Sequence, residues 1–200
     1  DYAISEKGNY LYFEKDEADT LNPSGVFAFN TEKGELSTLN SGLENYEKLT
    51  VDKSGEQLAF LATDSENKDK DKYFSLMHWK AGKKEASIIA DTVTAGLPES
   101  WMVSKNGRIN FSESGKRIYF GTAPRPVKYA YEEDSTLLKE ERPDVDVWSW
   151  NDPYIQPMQK LNAGREKNRS YTAMVDLKSK KMSQLGNIYL QNVSIDYKRD

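Results

Sequence analysis

The sequence lacks cysteine altogether and contains a single histidine among its 200 residues. Without cysteine, disulfides and thiolate metal sites are excluded, and the sequence does not indicate whether the protein resides in an oxidising or a reducing compartment. Serine-hydrolase triads and multi-histidine metal sites both require a well-placed histidine. The single one, His78, lies in the alternating stretch YFSLMHWK, residues 73–80, which is typical of a strand. We therefore interpret His78 as an ordinary strand residue and predict no catalytic residue, no metal ligand and no cofactor-binding residue.

The chain also has little excess charge and no long apolar run. Its net charge is −4, with both signs interspersed, so no basic field attracts nucleic acid or anionic lipid. No apolar stretch approaches the roughly 18 residues that cross a bilayer as a helix. The first residues, DYAISEKGNY, have neither the basic nor the apolar region of a signal peptide. We expect no nucleic-acid partner, no membrane partner and no signal peptide within this chain.

Aromatic residues are what the chain has in quantity. They make up 12% of it, with 12 tyrosines and 4 tryptophans, although charged residues reach 30%. Disordered chains are poor in large rings, so this content argues against wholesale disorder. Together with a mean hydropathy of −0.81, it suits strands that have one buried face and one solvated face.

A ten-residue pattern occurs three times without a gap. The copies are ISEKGNYLYF at 4–13, VDKSGEQLAF at 51–60 and FSESGKRIYF at 111–120. The Ser or Asp at the second position can accept a hydrogen bond from backbone two residues on, which initiates a turn. The glycine at the fifth position supplies the positive φ of a tight hairpin turn. Each copy therefore predicts a strand, a tight turn and a second strand.

A second hairpin signature follows each copy. It reads GVFAFNTEKGELSTL at 25–39, KYFSLMHWKAGKKEASII at 72–89 and SYTAMVDLKSKKMSQL at 170–185. Two hairpins in each repeat make four antiparallel strands, and a four-stranded unit that repeats at roughly 40–50 residues is typical of a β-propeller blade. The last residues, VSIDYKRD, resemble the start of a further copy, with Arg199 where the glycine would be.

The predicted fold is all-β: a β-propeller fragment of about three four-stranded antiparallel blades. We place blade 1 at about 1–42, blade 2 at about 43–92, blade 3 at about 96–187, and the start of a further blade at 188–200. A β-sandwich or barrel with similar hairpins is the competing interpretation. It is less favoured because the turn motif matches in every unit.

Two segments depart from the repeat. Residues 124–169 form an insertion that we expect to be helical or irregular. Within it, 145–150 alternates as a strand should, so it competes with 171–177 for the third place in blade 3, and the sequence does not decide between them. The segment SENKDKDK, 65–72, is acidic, but it lacks the central glycine and terminal glutamate of a calcium-binding hand. We interpret it as a solvated loop.

The stretch GLPESWMVSKNGRINFSESGKRIYFGTAPRP, 96–126, followed by PDVDVWSWNDPYIQPMQ, 143–159, resembles the N-terminal propeller of bacterial serine peptidases of the prolyl oligopeptidase family. The succession FGTAPRP, VDVWSWND and QPMQ carries the resemblance, since the Ser-Glu-Ser-Gly turn is shared by many propellers. The resemblance implies a C-terminal α/β-hydrolase domain in the parent chain, with a Ser-Asp-His triad, peptide substrates and a periplasmic or secreted location. It further implies that the propeller covers the active site and limits substrate access.

The catalytic apparatus of that family has no counterpart here. Its nucleophile lies in a Gly-x-Ser-x-Gly elbow, and no such elbow occurs in the 200 residues. We therefore expect no enzyme activity from this chain itself and a serine peptidase as its parent. The alternative function is a periplasmic binding module of the Tol type with no attached enzyme. A propeller glycosidase is a weaker option, because it needs paired carboxylates facing a channel, whereas the acidic residues here are mainly in turns and loops.

Three blades and a partial fourth do not close a propeller, which typically has four to eight. Open blade edges invite pairing with other chains. We expect the chain to be a segment of a longer protein, and we expect the isolated segment to self-associate through its open edges or to be marginally stable.

Overall fold

A computed structural model describes residues 1–15, 23–64, 73–126, 149–152 and 154–198 of the protein. Within these residues the chain divides into two compact units. One comprises Asp1–Arg125 with Ser170–Asp200, and the other comprises Pro126–Arg169. The first unit contains all the named strands and the second contains the named helix.

The first unit is built from three antiparallel sheets, each of which is a blade. Blade 1 comprises β1 (Tyr2–Ile4), β2 (Tyr10–Lys15), β3 (Gly25–Asn30) and β4 (Glu35–Ser41) in that spatial order. Blade 2 comprises β5 (Asn45–Val51), β6 (Gln57–Thr63), β7 (Ser75–Lys80) and β8 (Ser87–Ala90). Blade 3 comprises β10 (Asn110–Phe111), β11 (Arg117–Pro124), β12 (Tyr171–Asp176) and β13 (Lys181–Gln184), and β9 (Trp101–Val103) pairs with the far end of β11. The prediction of about three four-stranded antiparallel blades is confirmed.

The third place in blade 3 is filled by β12. This strand pairs with β11 from Arg117↔Asp176 to Thr122↔Tyr171, so the strand predicted at 171–177 takes the position. In the competing segment, 145–148 lies outside the described residues, and Ser149 and Trp150 are not in a strand. The loop interpretation of 65–72 also lies outside the described residues.

The insertion is helical in part, as predicted. Helix α1 (Gln156–Lys167) follows an extended residue, Ile155, and has a proline in its first turn, where the missing N–H is no loss. It has no buried residue. Arg169 forms an ion pair with Glu166 just after the helix ends.

The turn at the start of each blade has the same hydrogen-bond pattern in all three copies. In the first, the Gly8 N–H donates to the Ser5 carbonyl at 2.8 Å, and the Tyr10 N–H donates to Ser5 Oγ at 3.0 Å. The same side-chain bonds join Gln57 N–H to Asp52 Oδ1 (2.9 Å) and Arg117 N–H to Ser112 Oγ (3.2 Å). The sequence predicts that these side chains accept a hydrogen bond from the backbone N–H two residues further along the chain, and this is wrong. The donor is the N–H five residues further along, which points back across the closed turn.

The turn glycines have the positive φ that the pattern predicts: +70° at Gly8, +78° at Gly55 and +68° at Gly115. Their neighbours differ, however. A Cβ built on Gly8 would meet open space, whereas one built on Gly55 would overlap the Ser5 side chain of the preceding blade. The Gly55 position therefore requires glycine for two reasons, its φ and the closeness of the neighbouring turn.

Blade 2 is packed on both of its faces. All seven residues of β6 are buried, and because strand side chains alternate, Leu58 and Phe60 pack with Tyr12 of blade 1. The intervening Ala59 and Leu61 pack in a second cluster with blade 3. These two clusters are the core of the first unit, and each one lies between two blades.

Blade 1 has one covered face and one open face. The residues that match Leu58 and Phe60 in the repeat are Leu11 and Phe13, and both are only half-buried. With Phe27, which stacks on Phe13 at 5.5 Å between ring centroids, and Phe29, they form what we call the outer face of blade 1. Blades 2 and 3 have their equivalent faces covered by the preceding blade.

Charges alternate across the turn tips of successive blades. Lys53 of blade 2 pairs with Glu113 of blade 3. This hydrogen bond raises the pKa of Lys53, and Glu6 of blade 1 adds to the effect. The same bond lowers the pKa of Glu113, with a smaller contribution from Lys198. Exposed pairs of this kind contribute little stability.

The last described residues contact blade 3. The Glu113 N–H donates to the Tyr197 carbonyl at 2.8 Å, and the Tyr197 ring meets Tyr119 edge-on at 5.3 Å between centroids. Residues 188–198 contain no strand, and Arg199 lies outside the described residues. The start of a further blade at 188–200 stays a prediction.

Replacing Gly55 with alanine is expected to destabilise the fold more than replacing Gly8. Both substitutions place a side chain at positive φ, which costs about 1–2 kcal/mol. Only Gly55→Ala also forces a methyl group into the Ser5 side chain, and overpacking costs about a further 1–3 kcal/mol. Urea unfolding of the two variants measures the difference, and equal midpoints would show that the two turns are not in contact.

Candidate functional site

The two ends of the blades carry connections of different length. In an up-and-down sheet the first and third connections lie at one end, and the second lies at the other. The second connections join Lys15 to Gly25, Thr63 to Ser75 and Pro124 to Tyr171. They are longer in every blade than the tight turns at the opposite end. Long loops on a rigid scaffold are where binding residues usually lie, so this long-connection end is the candidate functional surface.

Arg125 fixes the base of the largest connection. Its Nε donates to the Trp101 carbonyl and its guanidinium NH2 group donates to the Thr92 carbonyl, both at 3.2 Å. Its Cζ lies 5.4 Å from the centroid of the Tyr73 ring, within the range of a cation–π contact. Arg125 is the arginine of the GTAPRP motif. It joins the start of β7, the 91–100 connection and the end of β11, so it has a structural role.

Aromatic rings continue this cluster. Trp101 lies 5.1 Å from Tyr171, centroid to centroid, and Tyr171 is the first residue of β12. The 46-residue connection between Pro124 and Tyr171 therefore leaves and re-enters the blade beside an arginine and two packed rings. Nothing in the spacing of the sequence indicates this cluster, because its members come from four separate segments.

His78 belongs to a polar network between blades 2 and 3. Its Nε2 lies 3.0 Å from Gln57 Oε1, while the Gln57 amide donates to Asp52 Oδ2 at 3.2 Å and to the Gly115 carbonyl at 3.1 Å. Since both donors of Gln57 are directed at those acceptors, its Oε1 must accept, and His78 must carry its proton on Nε2. A glutamine between histidine and aspartate cannot act as the carboxylate of a triad.

Burial keeps His78 neutral. Desolvation lowers its pKa to about 4, and Lys80 acts in the same direction, against a smaller opposing effect of Asp52. The ring also lies 6.2 Å from Phe111 of blade 3. His78 is thus a strand residue of β7, as the sequence predicts, whose side chain helps to join two blades.

Lys48 makes a second polar link between these blades. It has a positive φ of 61° at a bulge in β5, where the register shifts between Glu47 and Thr50. The bulge directs its Nζ to the Gly107 carbonyl at 2.6 Å. Burial lowers the pKa of its amine, Glu47 opposes this, and Arg108 adds to the lowering. The sequence pattern gives no indication of this bulge.

The backbones of blade 3 cross closely beside Lys48. A Cβ on either Gly107 or Gly121 would overlap the backbone of the other glycine. Next to this crossing, a cavity of about 210 Å³ is lined by Tyr119, Tyr171 and Tyr197 among others. A larger cavity of about 330 Å³ lies between blades 1 and 2, at the tight-turn end.

The described ranges are 1–15, 23–64, 73–126, 149–152 and 154–198. Those ranges contain no group of three or more histidine, aspartate or glutamate side chains arranged to hold a metal ion. They also contain no helix with the length and apolar character needed to span a membrane.

Comparisons with known proteins give matches at the level of structure alone. No protein-family model matches the chain, and no curated protein matches it by sequence. Among the solved structures that resemble this chain, three that each match 90% of it serve as examples. They are TolB from Acinetobacter baumannii (TM-score 0.47, 9% identity, 30% of its own length), oligogalacturonate lyase from Vibrio parahaemolyticus (0.48, 13%, 37%) and acylaminoacyl peptidase from Pyrococcus horikoshii (0.44, 12%, 24%).

The chain therefore spans between about a quarter and two fifths of the length of these structures. The propeller assignment itself rests on the strand order and register described above. The expectation of propeller blades is confirmed at the level of the fold.

The stability of the first unit is expected to fall as the pH is lowered from about 6.5 to 4, in part because of His78. Its folded pKa of about 4 lies below the ordinary value of 6.5. The unfolded chain therefore binds more protons in this window, and unfolding becomes easier as pH decreases. The difference in unfolding free energy between the native chain and a His78→Gln variant, followed against pH, isolates this effect from carboxylate titration. Parallel curves for the two proteins would contradict it.

Proposed function

We propose that this chain is the non-catalytic propeller portion of a serine peptidase of the prolyl oligopeptidase family, where it covers the active site and limits substrate access. The observation that carries the proposal is the motif succession GTAPRP, VDVWSWND and QPMQ on a chain of propeller blades. The sequence contains no Gly-x-Ser-x-Gly elbow and only one histidine. The catalytic domain must accordingly be supplied by the rest of the parent chain.

The shape of the blades supports a gating role. A rigid array of sheets whose long connections share one end can present those connections to a neighbouring domain without changing its core. Arg125 holds the base of the largest connection through two carbonyls and one ring. We propose the long-connection end as the surface that faces the hydrolase domain and incoming peptide substrates.

A periplasmic or secreted location is part of the same proposal and rests on the sequence resemblance. The alternative function is a periplasmic binding module of the Tol type with no enzyme attached. The coding sequence downstream discriminates between the two. An elbow followed by aspartate and histidine within about 250 residues supports the peptidase, since the triad partners follow in that order. Further blade repeats downstream without such an elbow support the binding module, and a stop codon soon after residue 200 would contradict the peptidase.

The full-length protein is expected to hydrolyse chromogenic dipeptide substrates and to lose this activity with a serine-directed inhibitor. It should cleave short peptides and leave folded proteins intact, because a propeller that covers the active site lets short peptides reach it and excludes large folded proteins. The 200-residue chain on its own should be inactive under the same conditions. Hydrolysis by the chain alone that persists through further purification would overturn the assignment, and equal cleavage of peptides and folded proteins would overturn the gating role.

We also propose that the isolated chain self-associates, and that the outer face of blade 1 is the contact surface. A Phe13→Ser, Phe27→Ser variant should lower the molar mass measured by light scattering, because it removes the stacked pair at the centre of that face. An Ile188→Ser variant, at a residue that is 49% exposed elsewhere, serves as the control. A native chain that is stable and strictly monomeric would contradict this proposal.

A further inference from the structure

The cavity between blades 1 and 2 has a charged rim and an aromatic floor. Its volume is about 330 Å³, which lies at the lower end of the range of ligand sites. The floor is formed by Tyr10 of β2 and Trp79 of β7, whose rings meet edge-on at 6.2 Å between centroids. The Trp79 indole N–H is already bonded to the Lys83 carbonyl at 2.9 Å, so its position is fixed.

The equivalent cleft between blades 2 and 3 is filled. The residue that matches Tyr10 in the repeat is Gln57, and its amide bonds to Asp52 and to the Gly115 carbonyl of the next blade. His78 and Phe111 occupy the adjoining space. A cavity of this kind is therefore not a general result of blade packing. It occurs where blade 1 presents a half-buried tyrosine instead of a bonded glutamine.

The rim of the cavity is cationic. Lys33 comes from the β3–β4 turn, and Lys83 and Lys84 come from the β7–β8 turn. Glu35 is the one acidic residue among those that line the cavity. Lys84 forms an ion pair with Glu85 at 3.8 Å. Lys33 and Lys83 against Glu35 leave a local excess of positive charge in a chain whose net charge is −4. The cavity is thus complementary to a ligand that carries carboxylates.

The strand beside the cavity favours a peptide as the ligand. Glu35 and Ser37, which line it, belong to β4, the outermost strand of blade 1. The side chains of β4 from Glu35 to Thr38 are exposed. An outermost strand offers unpaired N–H and C=O groups with which an extended chain can pair, and a sugar has no such backbone.

We propose that this cavity binds short acidic peptide segments, with carboxylates directed to Lys33, Lys83 and Lys84 and an apolar or ring group against Tyr10. The peptide extends along β4. The site lies at the tight-turn end of the blades, away from the long-connection end, and it does not depend on the parent being a peptidase.

The test measures binding of a fluorescein-labelled hexapeptide of one tyrosine and five glutamates to the full-length protein. A Lys83→Glu, Lys84→Glu variant should bind about tenfold more weakly, since two attractive charges become repulsive. The matched control is Lys178→Glu, Lys181→Glu, which makes the same change in charge in the equivalent hairpin of blade 3. It should change the affinity less than twofold. Circular dichroism verifies that both variants are folded.

Two further arms define the ligand. A hexapeptide with glutamine in place of glutamate should bind at least tenfold more weakly, and binding of the glutamate peptide should weaken as salt is raised. A Tyr10→Ser variant should weaken it by removing the ring. Equal losses in the two lysine variants would overturn the proposal by showing a diffuse charge effect. Absence of binding to the native protein, or equal binding of an acidic sugar oligomer, would overturn it as well.

Discussion

The rest of the first unit depends on the contact between each blade-opening turn and the blade that precedes it. The Tyr12 hydroxyl of blade 1 donates to the Gly55 carbonyl at 2.8 Å, and Gln57 of blade 2 donates to the Gly115 carbonyl. In both cases the acceptor belongs to the glycine of the next turn. The positive φ that closes the turn thus also exposes a carbonyl to the preceding blade. Burial raises the pKa of the Tyr12 hydroxyl, which keeps it protonated as the donor.

Much of the fold could be predicted from the sequence because it is written in local, repeated patterns. The spacing of Gly8, Gly55 and Gly115 predicts the blade-opening turns, and the alternation after each glycine predicts the strands. The sequence pattern does not predict that Ser5, Asp52 and Ser112 accept from the N–H five residues on, because this hydrogen bond forms only once the whole turn is closed. The choice of β12 over 145–150 is a matter of tertiary pairing, which the alternation of either segment leaves open.

The candidate surfaces could be predicted far less well. The Arg125 cluster and the Lys48 link join residues that are distant in the chain, and no spacing rule relates them. The sequence predicts His78 correctly as a strand residue, but the link from its partner Gln57 to the Gly115 carbonyl of blade 3 depends on how the two blades pack. The proposed function rests on short motifs whose described residues differ in environment: Trp150 is 96% exposed, QPMQ lies in helix α1, which has no buried residue, and only GTAPRP, through its arginine, supports the scaffold. The side chain of that arginine, Arg125, is occupied by Trp101, Thr92 and Tyr73.

The complete burial of β6 has a consequence for how the first unit comes apart. A strand with a neighbouring blade on both sides exchanges its amide hydrogens only when one of those blades has been lost. Blade 1, with an open face, and blade 3, with a short first strand, can each open while the middle sheet persists. Blade 2 is therefore the most stable of the three blades. As in a stacked repeat array, the inner unit is stabilised by two interfaces and each end unit by one. The amides of Leu58 to Leu61 are the last that water reaches.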